Sequence, residues 1–126
     1  MQAAIGCAQL EKFPQFVDRR RKNFEKMYQG LQDIQDKLIL PVAQTDSNPS
    51  WFGFMMTCKE GTEREKVVPY IEEHGVQTRM LFAGNLTKHP CFDEMRRNNT
   101  GYRIVGDLKN TDQIMGNTFW VGVYPG

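Results

Sequence analysis

A layered α/β (α+β) domain, with helices packed on a small mixed sheet, follows from three features of the sequence. Helical and strand-like segments alternate in the order α-α-β-α-β-loop-α-β. Apolar residues make up 40% and charged residues 25% of the chain, the balance of a folded protein rather than of a disordered or fibrous one. At 126 residues a single domain can bury roughly two-thirds of the surface its unfolded chain exposes, which suffices for one core. Residues 1–126 are therefore read as one domain, with helices over 1–38 leading into it and the sheet and its covering helices over 51–126.

Met1–Phe13 contains Ala3, Ala4, Ala8 and Leu10 and no β-branched run, which predicts a helix, although one without a capping residue in front of it. Pro14 restarts a second helix, in which Val17, Phe24, Met27, Leu31, Ile34 and Leu38 recur at three- and four-residue spacing and mark one buried stripe. Pro41 ends it, and Thr45–Pro49 is a turn cluster. Trp51–Cys58 reads as a strand buried on both faces. Thr62 and Glu65 have the spacing of a capping box for a helix that runs to His74, with a bend at Pro69 and Gly75 as left-handed cap. Val76–Phe82 is a second strand, Ala83–Thr100 a long polar connection, and Tyr102–Val105 a short third strand. Asn110 and Gln113 resemble another capping box before a helix to Gly116, and Thr118–Tyr124 is the last strand. Both chain ends read as breaks in a longer structure, since the first helix lacks a cap and the last strand has no closing helix.

Sixteen basic against fifteen acidic residues leave a formal charge of +1, which creates no field able to gather nucleic acid or an anionic membrane. The run Arg19–Lys22 is flanked by Asp18 and Glu25 at helical spacing and reads as a solvated helix face. Cys7, Cys58 and Cys91 are widely separated, with no metal-ligand spacing, and read as free thiols of a reducing, cytoplasmic compartment. No apolar run approaches the ~20 residues that span a bilayer. Nucleophile elbow, P-loop, zinc-protease and dinucleotide-binding motifs are all missing from the sequence. His74 is expected to complement free carbonyls at a helix end, and His89, before Pro90 in the long connection, is the stronger candidate for a functional imidazole.

Four stretches carry more specific information: Met1–Gly6, Pro49–Phe54, Glu73–Leu86 and Asp112–Gly126, about a third of the chain in all. In content and order they are similar to the sugar-nucleotide aminotransferase and dehydrase (DegT/DnrJ/StrS) family of the aspartate-aminotransferase fold, to its small C-terminal domain. Family aminotransferases usually carry Trp-His-x-Phe where this chain has Trp51-Phe52-Gly53-Phe54. They also place a His-Tyr-Pro-like run after Thr-Arg, where Thr78-Arg79 is here followed by Met80-Leu81-Phe82-Ala83-Gly84-Asn85-Leu86. Losing those imidazoles on the same scaffold resembles the dehydrase branch.

That resemblance implies a parent enzyme that uses pyridoxal or pyridoxamine phosphate (PLP/PMP) and a [2Fe-2S] cluster to remove the C3 hydroxyl of CDP-4-keto-6-deoxyglucose in lipopolysaccharide O-antigen deoxysugar synthesis. It implies as partners an N-terminal large domain, the CDP-sugar, an iron-sulfur flavin reductase and a second copy in a homodimer. The cofactor and cluster ligands would lie before Met1, so this chain is expected to bind neither PLP nor metal and to be inactive alone. Residues left to wall the substrate or cofactor pocket are Phe52, Arg79, Phe82, Asn85 and Arg103. Arg79 offers a planar fork for anions or sugar hydroxyls, and Phe52 and Phe82 offer ring faces. A sugar-nucleotide aminotransferase fragment and a non-catalytic association module are the two alternatives.

Overall fold

The computed structural model describes residues 2–126, residue 2 by its backbone alone. Met1, which opens both the expected first helix and the first family-like stretch, lies outside the described residues. Four helices and four strands follow one another as α1 (Gln2–Gly30), β1 (Leu38–Ile39), β2 (Gly53–Cys58), α2 (Arg64–Glu73), β3 (Thr78–Met80), α3 (Asp93–Asn98), α4 (Lys109–Asn117) and β4 (Thr118–Gly122).

The strands form one sheet in the order β1-β2-β4-β3, and every pairing is antiparallel, where a mixed sheet was expected. β2 and β4 pair over five positions from Gly53↔Gly122 to Thr57↔Thr118. The pleat sends Phe54, Met56 and Cys58 of β2 and Phe119 and Val121 of β4 to the same face. With Leu38, Leu40, Val68 and Val123 they form the core, covered by Phe24, Met27, Tyr28, Leu31 and Ile34 of the first segment and Val67 and Ile71 of α2. Phe54 and Phe119 have no exposed surface, and burying a side chain of this kind contributes about 1.5–3 kcal/mol. Phe24 packs its ring 4.9 Å from that of Phe54. The opposite face of β2 is open: Met55 is 40% exposed, so the expectation of a strand buried on both sides fails.

Helix α1 runs unbroken through Pro14, where two helices were expected. A proline within a helix removes one backbone hydrogen bond and crowds the carbonyl four residues earlier. Leu10 and Pro14 are both exposed here, so water can take the freed carbonyl. The stripe does not continue helically to Leu38. After Gly30 the chain makes a 3-10 turn, Gln32–Ile34, and Leu38 joins β1, where pairing with Cys58 satisfies its backbone and its side chain becomes buried.

Neither capping box forms. Helix α2 begins with Glu63 as N-cap, without a side-chain cap, because the Thr62 amide donates to the Lys59 carbonyl (3.0 Å) in the preceding turn. Helix α4 starts at Lys109, whose amide donates to Asp107 Oδ1 (3.1 Å), and Asn110 falls inside its first turn. The end of α2 matches expectation. Gly75 takes φ +83, its amide donates to Glu72 O (3.0 Å) and that of Val76 to Ile71 O (3.2 Å), the pair of bonds that defines a Schellman cap. That cap consumes Val76, so β3 shrinks to three residues. The long connection is structured: 3-10 turns Leu86–Lys88 and Pro90–Phe92 lead into α3, which ends on Asn99 at φ 50. Residues 102–105 pair with no strand and lie exposed, with Val105 72% accessible.

Three polar contacts fix the layers. Arg21 of α1 donates to Asn48 O (2.7 Å) and Pro49 O (3.3 Å), Arg64 of α2 donates to Met115 O (2.6 Å) at the end of α4, and Asn23 Nδ2 donates to Tyr124 O (2.6 Å). These three side chains hold a loop, a second helix and the chain end to α1 and α2, leaving the sheet's second face uncovered.

Candidate functional site

On that second face the pleat brings up Gly53 and Met55 of β2 and Trp120 of β4, with Met55 and Trp120 directly paired. A Cβ on Gly53 would stand 2.6 Å from Trp120 Cε3, so the indole lies against bare backbone. Phe52 meets Trp120 edge-on, ring centroids 5.3 Å apart at 88°, the arrangement that aromatic quadrupoles favour. Its position is fixed by the backbone, since Val123 N donates to Phe52 O at 2.7 Å.

Around these side chains lies an open apolar cavity of about 240 Å³. Gly53, Met55 and Trp120 make its floor; Phe52, Leu81 and Phe82 stand along its walls, and Pro41 and Val42 close one end. Phe52 and Phe82 remain 59% and 78% exposed, so each presents most of a ring to whatever occupies the cavity. Phe82 adopts φ 44, left-handed for a residue with a side chain, and its amide donates to Met80 O (2.9 Å) in a tight reversal just after β3.

The five sequence candidates separate. Phe52 and Phe82 share this cavity. Arg79 is paired with Trp120 in the sheet, yet it lines a separate shallow hollow with Glu72, Gly75 and Gln77. With the Gln77 amide oxygen facing it, the guanidinium sits 3.2–3.3 Å from that oxygen. Asn85 is buried at 2% exposure, and both polar atoms of its side chain are engaged inside the protein. Its Nδ2 donates to Asp112 Oδ1 (2.7 Å), and its Oδ1 accepts from Thr87 N (3.0 Å) and Thr87 Oγ1 (2.6 Å). Arg103 lies on the exposed 102–105 segment and lines neither hollow.

Gly53, Met55 and Trp120 were not singled out from the sequence. Their signal was alternation: Phe119 and Val121 point inward, so Trp120 between them must point out.

No titratable group lines the aromatic cavity. Both histidines are held by backbone carbonyls, His74 Nδ1 at 2.7 Å from Tyr70 O and His89 Nε2 at 2.5 Å from Ala83 O. Cys7, Cys58 and Cys91 are free, and burial raises the Cys58 thiol above its ordinary pKa. Among the described residues no three potential ligands gather to hold a metal, and no helix is long and apolar enough to cross a membrane. The cavity can therefore accept a ring or an apolar face, and its lining brings no charged side chain to a phosphate and no side-chain base to a proton.

A profile of the DegT/DnrJ/EryC1/StrS aminotransferase family matches residues 1–126. The chain belongs to that family. Among curated members, lipopolysaccharide biosynthesis protein RfbH of Salmonella typhimurium is 50% identical over all of this chain and 28% of its own length. The dTDP-4-dehydro-2,6-dideoxy-D-glucose 3-dehydratase of Saccharopolyspora spinosa is 43% identical over all of this chain and 26% of its own. Among solved family structures, E. coli GDP-4-keto-6-deoxy-D-mannose-3-dehydratase with bound hydrated PLP superposes with a TM-score of 0.79 at 28% identity, over 98% of this chain and 30% of that one. This chain thus spans less than a third of the length of these relatives, and its fold is that of a part of a PLP-enzyme scaffold.

Proposed function

We propose that this chain is the small C-terminal domain of a sugar-nucleotide 3-dehydrase and supplies one apolar wall of its active site. The observation that carries this reading is the aromatic cavity itself, a ring-lined trough without an acidic, basic or cationic side chain, on a family member whose relatives include 3-dehydratases. Phe52 occupies the position where family aminotransferases carry an imidazole, which favours dehydration over amino transfer.

The residues present do not fit the whole cofactor. Phe52, Phe82 and Trp120 suit the face of a ring, whereas the lining holds no cationic side chain for a phosphate and no lysine for an aldehyde. Any PLP of the parent enzyme would have to be held by residues outside this cavity. This chain's side chains exclude water and orient the apolar edge of what is bound. Its three scattered cysteines do not fit a [2Fe-2S] cluster, and no step is routed through one. The remaining parts of the proposal are the substrate, CDP-4-keto-6-deoxyglucose, the iron-sulfur flavin reductase, and a cytoplasmic homodimer. The exposed apolar residues of α1, Ile5, Phe13 and Phe16, are where the large domain would pack.

The test has two arms. The purified chain is mixed with PLP and dialysed, and its absorbance is recorded; a retained cofactor band would show an attachment site within this chain and overturn the reading. The chain is then joined to the large domain of a 3-dehydratase relative and assayed with 4-keto-6-deoxy sugars carried on CDP, dTDP and GDP. Loss of the C3 hydroxyl, fastest on CDP, is expected; amino transfer instead would make the parent an aminotransferase.

A further inference from the structure

We infer that Asn85 is a positioning residue for the aromatic wall, acting through Leu81 and Phe82 rather than by touching a ligand. This inference rests on the reading of the cavity as an active-site wall. Asn85 is the largest buried polar side chain in the domain, and it lies just beyond the segment that forms the cavity rim.

That rim is clamped at both ends. Before it, Met80 pairs with Phe119 in the sheet. After it, Gly84 at φ +62 brings its backbone so close to α4 that a Cβ would stand 2.5 Å from Met115 Cγ. The next amide, Asn85 N, donates to Met115 Sδ at 3.3 Å. The Asn85 side chain then bonds Asp112 one turn earlier on α4, and Lys88 Nζ meets the same carboxylate oxygen at 2.8 Å. Arg96 closes the far side by donating to Thr87 O (2.5 Å) and His89 O (2.9 Å). Residues 81–83 therefore bridge two fixed points, and the left-handed Phe82 is the conformation that spans them. A residue held in such a conformation persists only when its surroundings over-determine it. Asn85 supplies that constraint because it alone joins the loop to α4 through both backbone and side chain.

The experiment is carried out on the full chain without any ligand, so it fails or succeeds separately from the enzymatic reading. In Asn85→Asp, a second carboxylate faces Asp112 where a donor stood. The Phe82 amide, which donates to Met80 O, and the amides of 85 and 87 are expected to exchange at least about tenfold faster, while β2 and β4 stay protected. The exchanged pair Asn85→Asp with Asp112→Asn restores one donor and one acceptor, and should restore slow exchange at the Phe82 amide. Asp112→Ala, at a partly exposed position, provides the same readout should Asn85→Asp not fold. Unchanged exchange at the Phe82 amide in the folded single variants would overturn the inference. So would failure of the exchanged pair to restore slow exchange there.

Discussion

Replacing Gly53 with alanine tests whether the indole of Trp120 is seated on bare backbone. The new methyl would overlap Trp120 Cε3 at 2.6 Å and Cδ2 and Cζ3 at 3.2 Å, so the ring must move. Overpacking of this size costs about 1–3 kcal/mol. Displacing the ring also loosens the edge-on pair with Phe52, a contact worth about 0.5–1.5 kcal/mol. Against this, alanine recovers roughly 0.5–1 kcal/mol that glycine costs within a strand. The net is a destabilisation of roughly 1–3 kcal/mol, or a urea midpoint lower by about 0.5–1.5 M for a slope of about 2 kcal/mol/M. Two tryptophans are present, so the indole N–H resonances of Trp51 and Trp120 can be followed separately by NMR, and only that of Trp120 should shift strongly. In a Trp120→Ala background the methyl meets open space, and the same substitution should stabilise, giving a coupling energy of at least about 1.5 kcal/mol in the double-mutant cycle. A Gly53→Ala protein as stable as its parent, with an unmoved Trp120 resonance and no coupling, would refute the seating of the ring.

Phe54→Ala removes a fully buried ring between the sheet and Phe24 and should cost about 3–5 kcal/mol in chemical denaturation, leaving a domain of this size close to unfolding. Arg64→Ala deprives the Met115 carbonyl at the end of α4 of its charged donor and should cost about 1.5–3 kcal/mol, with faster exchange confined at first to α4. The Asp112 carboxyl is held below its ordinary pKa by the hydrogen bonds of Lys88 and Asn85, which favour its charged form. Its contribution to stability is therefore complete above the unfolded-state value of about 3.9 and lost as pH falls from there through the lower folded-state value. Asp112→Asn should flatten the stability curve across that acid interval and leave its shape near neutrality unchanged; an identical acid slope in both proteins would contradict the pairing.

The layered class, the packing stripe Phe24–Ile34 and the Schellman end of α2 were all legible because they depend on periodicity and local backbone chemistry. The family stretches added the scaffold, and Phe52 and Phe82, named from them, line one cavity. Several boundaries were decided otherwise. Leu38 has the spacing of a helical residue, but it became a strand because β2 offered both hydrogen-bond partners and a buried slot. Thr62 and Asn110 have the spacing of caps, but turn hydrogen bonds made by Lys59 and Asp107 shifted each helix start by a residue or more. Tyr102–Val105 has the composition of a strand and found no partner.

The site divides in the same way. Sequence alone named Phe52 and Phe82 among five candidate wall residues. Only the tertiary structure decided that Trp120 forms the floor, that Arg79 turns to another hollow, and that Asn85 faces Asp112 instead of a ligand. The physical reason is that pleat, register and burial act between segments distant in the chain, and they assign a side chain its partners only after those segments have met.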